Sequence, residues 1–238
     1  MQALAKTCFR FALRTGQNSF MSINGFIIGL IPVLTSLLIS VIYYKRLQPS
    51  WLRLFTWFLL LTILISVVGY VYSFDFKSGN HFIFNIYLLI QFLFYFAFFY
   101  KTFQTKKLKR FTLLMSTCFL VYLLISFIFL NGFHTFNSLG FTIGSVLTIL
   151  FCLLYFGSLF NAEGFINYFK IPMFWIATGI LFFFVGNFIY LSFLNYILEN
   201  NLDNGGNIYE FIIITLNLLL YCFFSIGFLS NQTWKKRT

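Results

Sequence analysis

Charge is what this chain has least of: Asp and Glu together number 5 in 238 residues, and charged residues of both signs make up only 9%. So thin a polar coat excludes a water-soluble protein. With 60% hydrophobic residues and a mean hydropathy of +0.88, a soluble domain of this length would expose large apolar patches. The stretches between the apolar runs are short and lack the mixed content of a globular unit, so a single membrane domain with no soluble domain between its runs is expected. Cysteine is sparse as well. Cys118, Cys152 and Cys222 fall inside apolar runs and Cys8 lies in an N-terminal arm, so no disulfide framework is indicated and small apolar packing is the reading. Patterns such as His-Glu-x-x-His or Gly-x-Ser-x-Gly are missing too, which removes the common metalloprotease and serine-hydrolase chemistries.

What is present is length of apolar sequence. Crossing a hydrocarbon core takes roughly 20 apolar residues, and seven runs qualify: 23–44, 51–72, 81–103, 111–130, 138–160, 171–195 and 209–230. The expected fold is therefore all-α, a polytopic seven-helix transmembrane bundle over residues 21–232 with a basic tail at 233–238. Lys and Arg set its direction, because positively charged loops stay in the cytoplasm. Lys45, Arg46 and Arg53 follow the first run; Lys101, Lys106, Lys107, Lys109 and Arg110 follow the third; Lys170 follows the fifth; Lys235, Lys236 and Arg237 follow the seventh. The opposite gaps hold Lys77 with Asp75, Glu199, Asp203 and Glu210. The C-terminus is expected in the cytoplasm and the N-terminus outside, in a bacterial inner membrane. The +11 net charge is thus juxtamembrane and matched to topology and anionic headgroups, not to nucleic acid.

Residues 1–20 break this pattern, since Lys6, Arg10 and Arg14 would lie outside. A retained basic arm or a poor signal sequence would explain them, but a native start at Met21 removes the conflict, and no apolar stretch of signal length precedes it.

In a bilayer, lipid-facing positions suit Leu, Ile and Phe and penalise polar groups, so small and polar residues mark the inward faces. At about 100° per residue, such stripes are Gly25, Gly29, Pro32, Ser36, Ser40 and Tyr43 on the first run and Thr62, Ser66, Gly69 and Ser73 on the second. The third gathers His81, Asn85, Tyr87, Gln91 and Tyr95, the most polar face of all. The fifth carries Gly140, Gly144, Thr148 and Tyr155; the sixth Trp175, Gly179, Gly186 and Tyr190 beside Asn187; the seventh Glu210, Asn217, Tyr221 and Ser225. The fourth has no such stripe and is expected at the periphery. Gly25/Gly29 and Gly140/Gly144 have the Gly-x-x-x-Gly spacing, read first as packing within the bundle and second as a homodimer contact. Pro32 is expected to kink its helix, and Pro172 to sit in a first turn. With odd-numbered runs pointing inward across the membrane, His81, Asn85, Asn187, Asn195 and Glu210 fall in the outer half, and Gln91 and Asn217 near mid-depth. If the third, sixth and seventh helices are neighbours, Asn85, Tyr87, Gln91, Asn187, Tyr190, Glu210 and Asn217 line a ligand cavity open to the outside. An interhelical hydrogen-bond network is the competing role for the same amides.

Several activities drop out. The seventh run has no lysine for a retinal Schiff base, and the runs contain no acid pair or arginine series for proton relay or voltage sensing. No inverted repeat is visible, which argues against several transporter folds. For catalysis the candidates are His81, His134, Asp75, Glu199, Asp203 and Glu210; His81 and Glu210 would serve best as a lipid enzyme's acid and base. The acidic group around Asn201-Leu-Asp-Asn-Gly-Gly-Asn reads as a solvated turn in preference to a cation site, so neither metal nor cofactor is expected.

Two segments carry a resemblance. Ile171-Pro-Met-Phe-Trp-Ile-Ala-Thr-Gly and Asn85-Ile-Tyr-Leu-Leu-Ile-Gln resemble the sixth and third spans of small uncharacterised seven-span proteins of Bacteroidetes. That resemblance implies input to a cytoplasmic partner such as a histidine kinase, and supplies no functional residue. The expected role is thus a sensory component binding a small or lipophilic ligand, ahead of a lipid-modifying enzyme and then a solute transporter. N-terminal sequencing of natively expressed protein is expected to begin at Met21; an intact 1–20 segment would overturn that start.

Overall fold

A computed structural model describes residues 23–76, 81–130, 137–161, 167–200 and 207–234. The N-terminal arm with the Met21 start, Lys77, His134, Asp203 and the 235–238 tail lie outside these, as do the side chains of Ser73, Asp75, Asn195 and Glu199. Among the described residues every regular element is helical. Seven helices are long and apolar enough to span a membrane, making this a multi-pass membrane protein.

In chain order the helices are α1 (Ile23–Ile42), α2 (Leu54–Phe76), α3 (His81–Thr102), α4 (Lys106–Ile125), α5 (Ser138–Phe160), α6 (Pro172–Glu199) and α7 (Asn207–Trp234). A π-helical turn, Ser126–Leu130, prolongs α4. The boundaries depart from the apolar runs where polar residues continue a helix beyond the hydrocarbon. α4 starts at Lys106, five residues before Phe111, because Lys and Arg are good helix formers that a hydropathy count ends on. α6 likewise runs on to Glu199 and α7 begins at Asn207. α2 is entered through a short 3₁₀ turn, Ser50–Arg53. Pro172 opens α6 as expected, and α1 continues as one element through Pro32.

Side-chain contacts give the relative directions. Phe26 stacks on Tyr70 at 4.1 Å between ring centroids, Phe58 on Phe94 at 4.0 Å, and Phe156 meets Phe174 at 5.7 Å, so α1/α2, α2/α3 and α5/α6 are antiparallel pairs. α3 and α5 run parallel, with Phe92 against Phe141 and Phe96 against Phe151. The helices close a ring, α1–α2–α3–α5–α6–α7 and back to α1, with α4 packed outside against α3 and α5. The peripheral place expected for the fourth span is what its lack of a polar stripe reflects.

The alternation places Lys45, Arg46, Arg53, Lys101, Lys106, Lys107, Lys109, Arg110 and Lys170 at one end of the bundle, called here the basic end. The tightest seam is α6/α7. A Cβ added at Gly179 would meet Phe223 Cβ at 2.8 Å and the Leu220 carbonyl oxygen at 3.1 Å, and one at Gly227 would meet the Pro172 carbonyl oxygen at 3.1 Å. In lipid, such close approach of backbones is a main source of helix association. Gly140 and Gly144 on α5 instead receive side chains of neighbouring helices. The first closes on Leu123 of α4 and the second on the Phe92 ring of α3, so this Gly-x-x-x-Gly is occupied within the chain.

Replacing Gly179 by Leu is expected to lower stability by about 1–3 kcal/mol through overpacking, read as a drop in the thermal midpoint in detergent. Gly157→Ala, whose added Cβ meets nothing within 4 Å, is expected to leave the midpoint unchanged or raise it.

Candidate functional site

The bundle is filled differently in its two halves. Toward the basic end the centre is phenylalanine: Phe55, Phe96, Phe99, Phe103, Phe151, Phe224 and Phe228 are all at most 2% exposed. Their rings meet edge to face, as in Phe55 against Phe98 at 5.4 Å and Phe55 against Phe224 at 5.4 Å. In the opposite half the faces of α2, α3 and α7 are less covered, whereas α5 and α6 stay buried at Gly140, Gly144, Asn187 and Tyr190. On α7 the inward stripe is buried at Tyr221, Phe224 and Phe228, yet half-buried one turn on at Asn217 and beyond it at Ile214, Ile213 and Glu210. On α2, Thr62 is buried while Ser66 and Tyr70 are half-buried; on α3, Ile83, Phe84 and Tyr87 are half-buried.

Between the two halves lies a polar layer. Thr62 donates its hydroxyl proton to the Phe58 carbonyl oxygen at 2.9 Å. The 3.1 Å bond between the Thr62 and Tyr87 hydroxyls therefore has Tyr87 as donor, leaving the Tyr87 oxygen's lone pairs as acceptors. Gln91 bonds the Tyr95 hydroxyl, and the phenol oxygens of Tyr87, Tyr95 and Tyr221 lie close enough to sense one another electrostatically. The Cys152 thiol, beside Tyr95, donates to the Ala177 carbonyl oxygen at 3.6 Å. α2, α3 and α7 thus contribute one cluster of neutral donors and acceptors at mid-depth.

The expected site residues divide. Tyr87 and Gln91 belong to the polar layer, and Asn217 and Glu210 lie above it on the open face of α7. Asn85 points elsewhere: it is fully buried at the α3/α4/α5 corner, where its Oδ1 accepts the Asn137 backbone N–H at 3.0 Å. Asn137 also caps α5 by accepting from the Gly140 N–H at 2.8 Å, and its Nδ2 donates to Ser126 in the π turn at 2.9 Å. For Asn85 the network role prevails. Asn187 is buried and gives its Nδ2 proton to the Phe183 carbonyl oxygen of its own helix at 2.8 Å; Tyr190 is buried a turn further along α6. His81 is half-buried at the start of α3.

α3 reaches α6 through ring contacts at mid-depth, Phe92 and Tyr95 against Phe184 at 5.5 and 5.7 Å, while Tyr87 and the Tyr95 hydroxyl turn toward α2 and α7. Thr62, Tyr95 and Tyr221 complete the layer. All three stood on the polar stripes, so the signal was present, but periodicity along one helix does not say which stripes meet. No grouping of His, Cys, Asp or Glu among the described residues has the geometry to hold a metal ion. Comparisons with protein-family models, with curated proteins and with solved structures found no match to this chain.

Asn137→Ala removes the cap on the Gly140 N–H and the donor to Ser126 while keeping the backbone N–H that Asn85 accepts, and is expected to destabilise by about 1–3 kcal/mol. Tyr87→Phe leaves Thr62 its bond to Phe58 and is expected to shift stability by less than about 1 kcal/mol. Denaturant or thermal melts of the two variants check the contrast.

Proposed function

We propose that this protein is a sensory component of a bacterial cytoplasmic membrane that takes a small lipophilic ligand into the half-open chamber above the polar layer. The observation that carries the reading is the change along one face of α7, from buried Tyr221, Phe224 and Phe228 to half-buried Asn217, Ile214, Ile213 and Glu210. A helix face that points inward yet remains partly uncovered leaves volume for a ligand. Small-molecule sites are typically such concave, mostly apolar spaces with a few placed polar groups.

The basic end, with its Lys and Arg beside α1–α6, is assigned to the cytoplasm by the positive-inside rule, which puts the chamber's mouth on the outer side. α7 is one continuous helix from the chamber to the basic end, so a change in its outer half reaches a cytoplasmic partner without an intervening joint. A ligand moves such an element only by binding two arrangements with different affinity. Glu210 is half-buried in the first turn of α7, where a carboxylate suits the positive end of the helix dipole.

In a variant whose native cysteines are replaced, Ile213→Cys and Asn217→Cys are expected to react with a membrane-impermeant thiol reagent added outside, and Phe224→Cys to resist it. A total lipid extract of the host membrane is expected to slow the first two several-fold. Unreactive 213 and 217, or labelling that the extract leaves unchanged, would overturn the reading.

A further inference from the structure

The charge distribution restricts what the chamber accepts. Within 54–76, 81–100, 111–130, 138–160, 172–199 and 207–230 there is no Lys or Arg, and the same holds for 23–44. The acids inside these ranges are Asp75, Glu199 and Glu210, all near helix ends away from the basic end. Glu210 stands eleven residues before Tyr221, about 16 Å along the axis at 1.5 Å per residue. At the chamber floor the available chemistry is Thr62 and Tyr87, Gln91 and Tyr95, and Tyr221, all uncharged at neutral pH since an ordinary phenol titrates near 10.

A carboxylate or phosphate brought to that floor meets no Lys or Arg from the described spans, and burying an unpaired charge is far costlier than burying a hydrogen-bonded neutral group. An ammonium finds its nearest acid on this face at the mouth. A hydroxyl or carbonyl, by contrast, meets groups that both donate and accept, with the Tyr87 oxygen placed as an acceptor by its own donation to Thr62. Above the floor the half-buried wall is largely apolar, with Ile213 and Ile214 on α7 and Ile83 and Phe84 on α3.

We infer that the ligand is a neutral lipophile with a single hydrogen-bonding head, a long-chain alcohol or carbonyl compound, seated head-down on the Gln91, Tyr87, Tyr221 floor with its tail in the apolar chamber. The inference rests on the chamber reading above and specifies the chemistry of the same site.

The test uses the Ile213→Cys reporter in nanodiscs, with labelling measured against hexadecanol, hexadecanoate, hexadecyltrimethylammonium and hexadecane at equal mole fraction. Hexadecanol is expected to protect at a concentration at least about tenfold lower than the charged lipids. Gln91→Leu with Tyr221→Phe in the same reporter is expected to erase its advantage over hexadecane. Equal or better protection by hexadecanoate or the ammonium overturns the neutral-head assignment and leaves the chamber standing. Equal protection by hexadecane in the parent reporter overturns recognition by the floor. Absence of protection by all four defeats the chamber reading and this inference with it. The panel on the parent reporter decides the matter even where the double variant fails to fold.

Discussion

In a hydrocarbon solvent an apolar side chain gains little by leaving lipid for protein, so closeness of fit holds this bundle together. The α6/α7 seam is where that constraint is met most tightly. Gly179 and Gly227 bring backbone against backbone, and Gly186 receives Leu216. The rest is arranged around this pair: α1 lies along α7, α5 lies along α6, and α2 and α3 bridge the two flanks. A larger residue at the seam would separate the pair and disturb α1, which lies along α7, more than α5, which is also held by Gly140 and Gly144 against α4 and α3.

With the seam set, ring size decides the shape of the interior. Phenylalanines occupy inward positions of α2, α3, α5 and α7 toward the basic end, where α6 brings Ile176, Ala177 and Ile180, and their edge-to-face contacts fill much of it. Beyond mid-depth the inward stripes change to Ser66 on α2 and Asn217 on α7, which fill less volume, while the Phe84 ring closes on Gly69. The proposed chamber would follow from that taper. The polar layer sits where the filling stops, with Thr62 bonded to Phe58 and Tyr87, and Gln91 to Tyr95.

Much of this was legible from residues alone. Seven apolar runs gave the seven helices, and the missing stripe on the fourth run anticipated a helix outside the ring. The helix ends at Lys106, Glu199 and Asn207 lie beyond the apolar runs for one reason: hydropathy reports where a helix leaves the hydrocarbon, while the backbone ladder ends only where hydrogen bonding does. The site was half legible. Inward faces followed from periodicity, which placed Tyr87, Gln91 and Tyr221 correctly as interior. Which interior residues meet depends on the relative rotation and height of helices distant in sequence. Asn85 shows the limit: it shares the polar arc of α3 with Gln91, yet two turns along the axis it faces the α5 cap at Asn137 instead of the α2/α7 side.

The two halves also differ in how they respond to force. Where rings interdigitate around Phe55, Phe99 and Phe224, helices move only by exchanging one packed arrangement for another, since close-packed interiors resist continuous deformation. Where the α7 face is half-uncovered, fewer interlocks oppose a tilt. α7 crosses both regions without a break, so under the proposed reading a displacement of its half away from the basic end would reach the phenylalanine half as a choice between packings. The polar layer lies between the two. Hydrogen bonds from Gln91 and Tyr221 to a bound head would bias that choice at the depth where the helix passes from loosely to tightly held, which is where a small difference in binding energy acts on the whole length of α7.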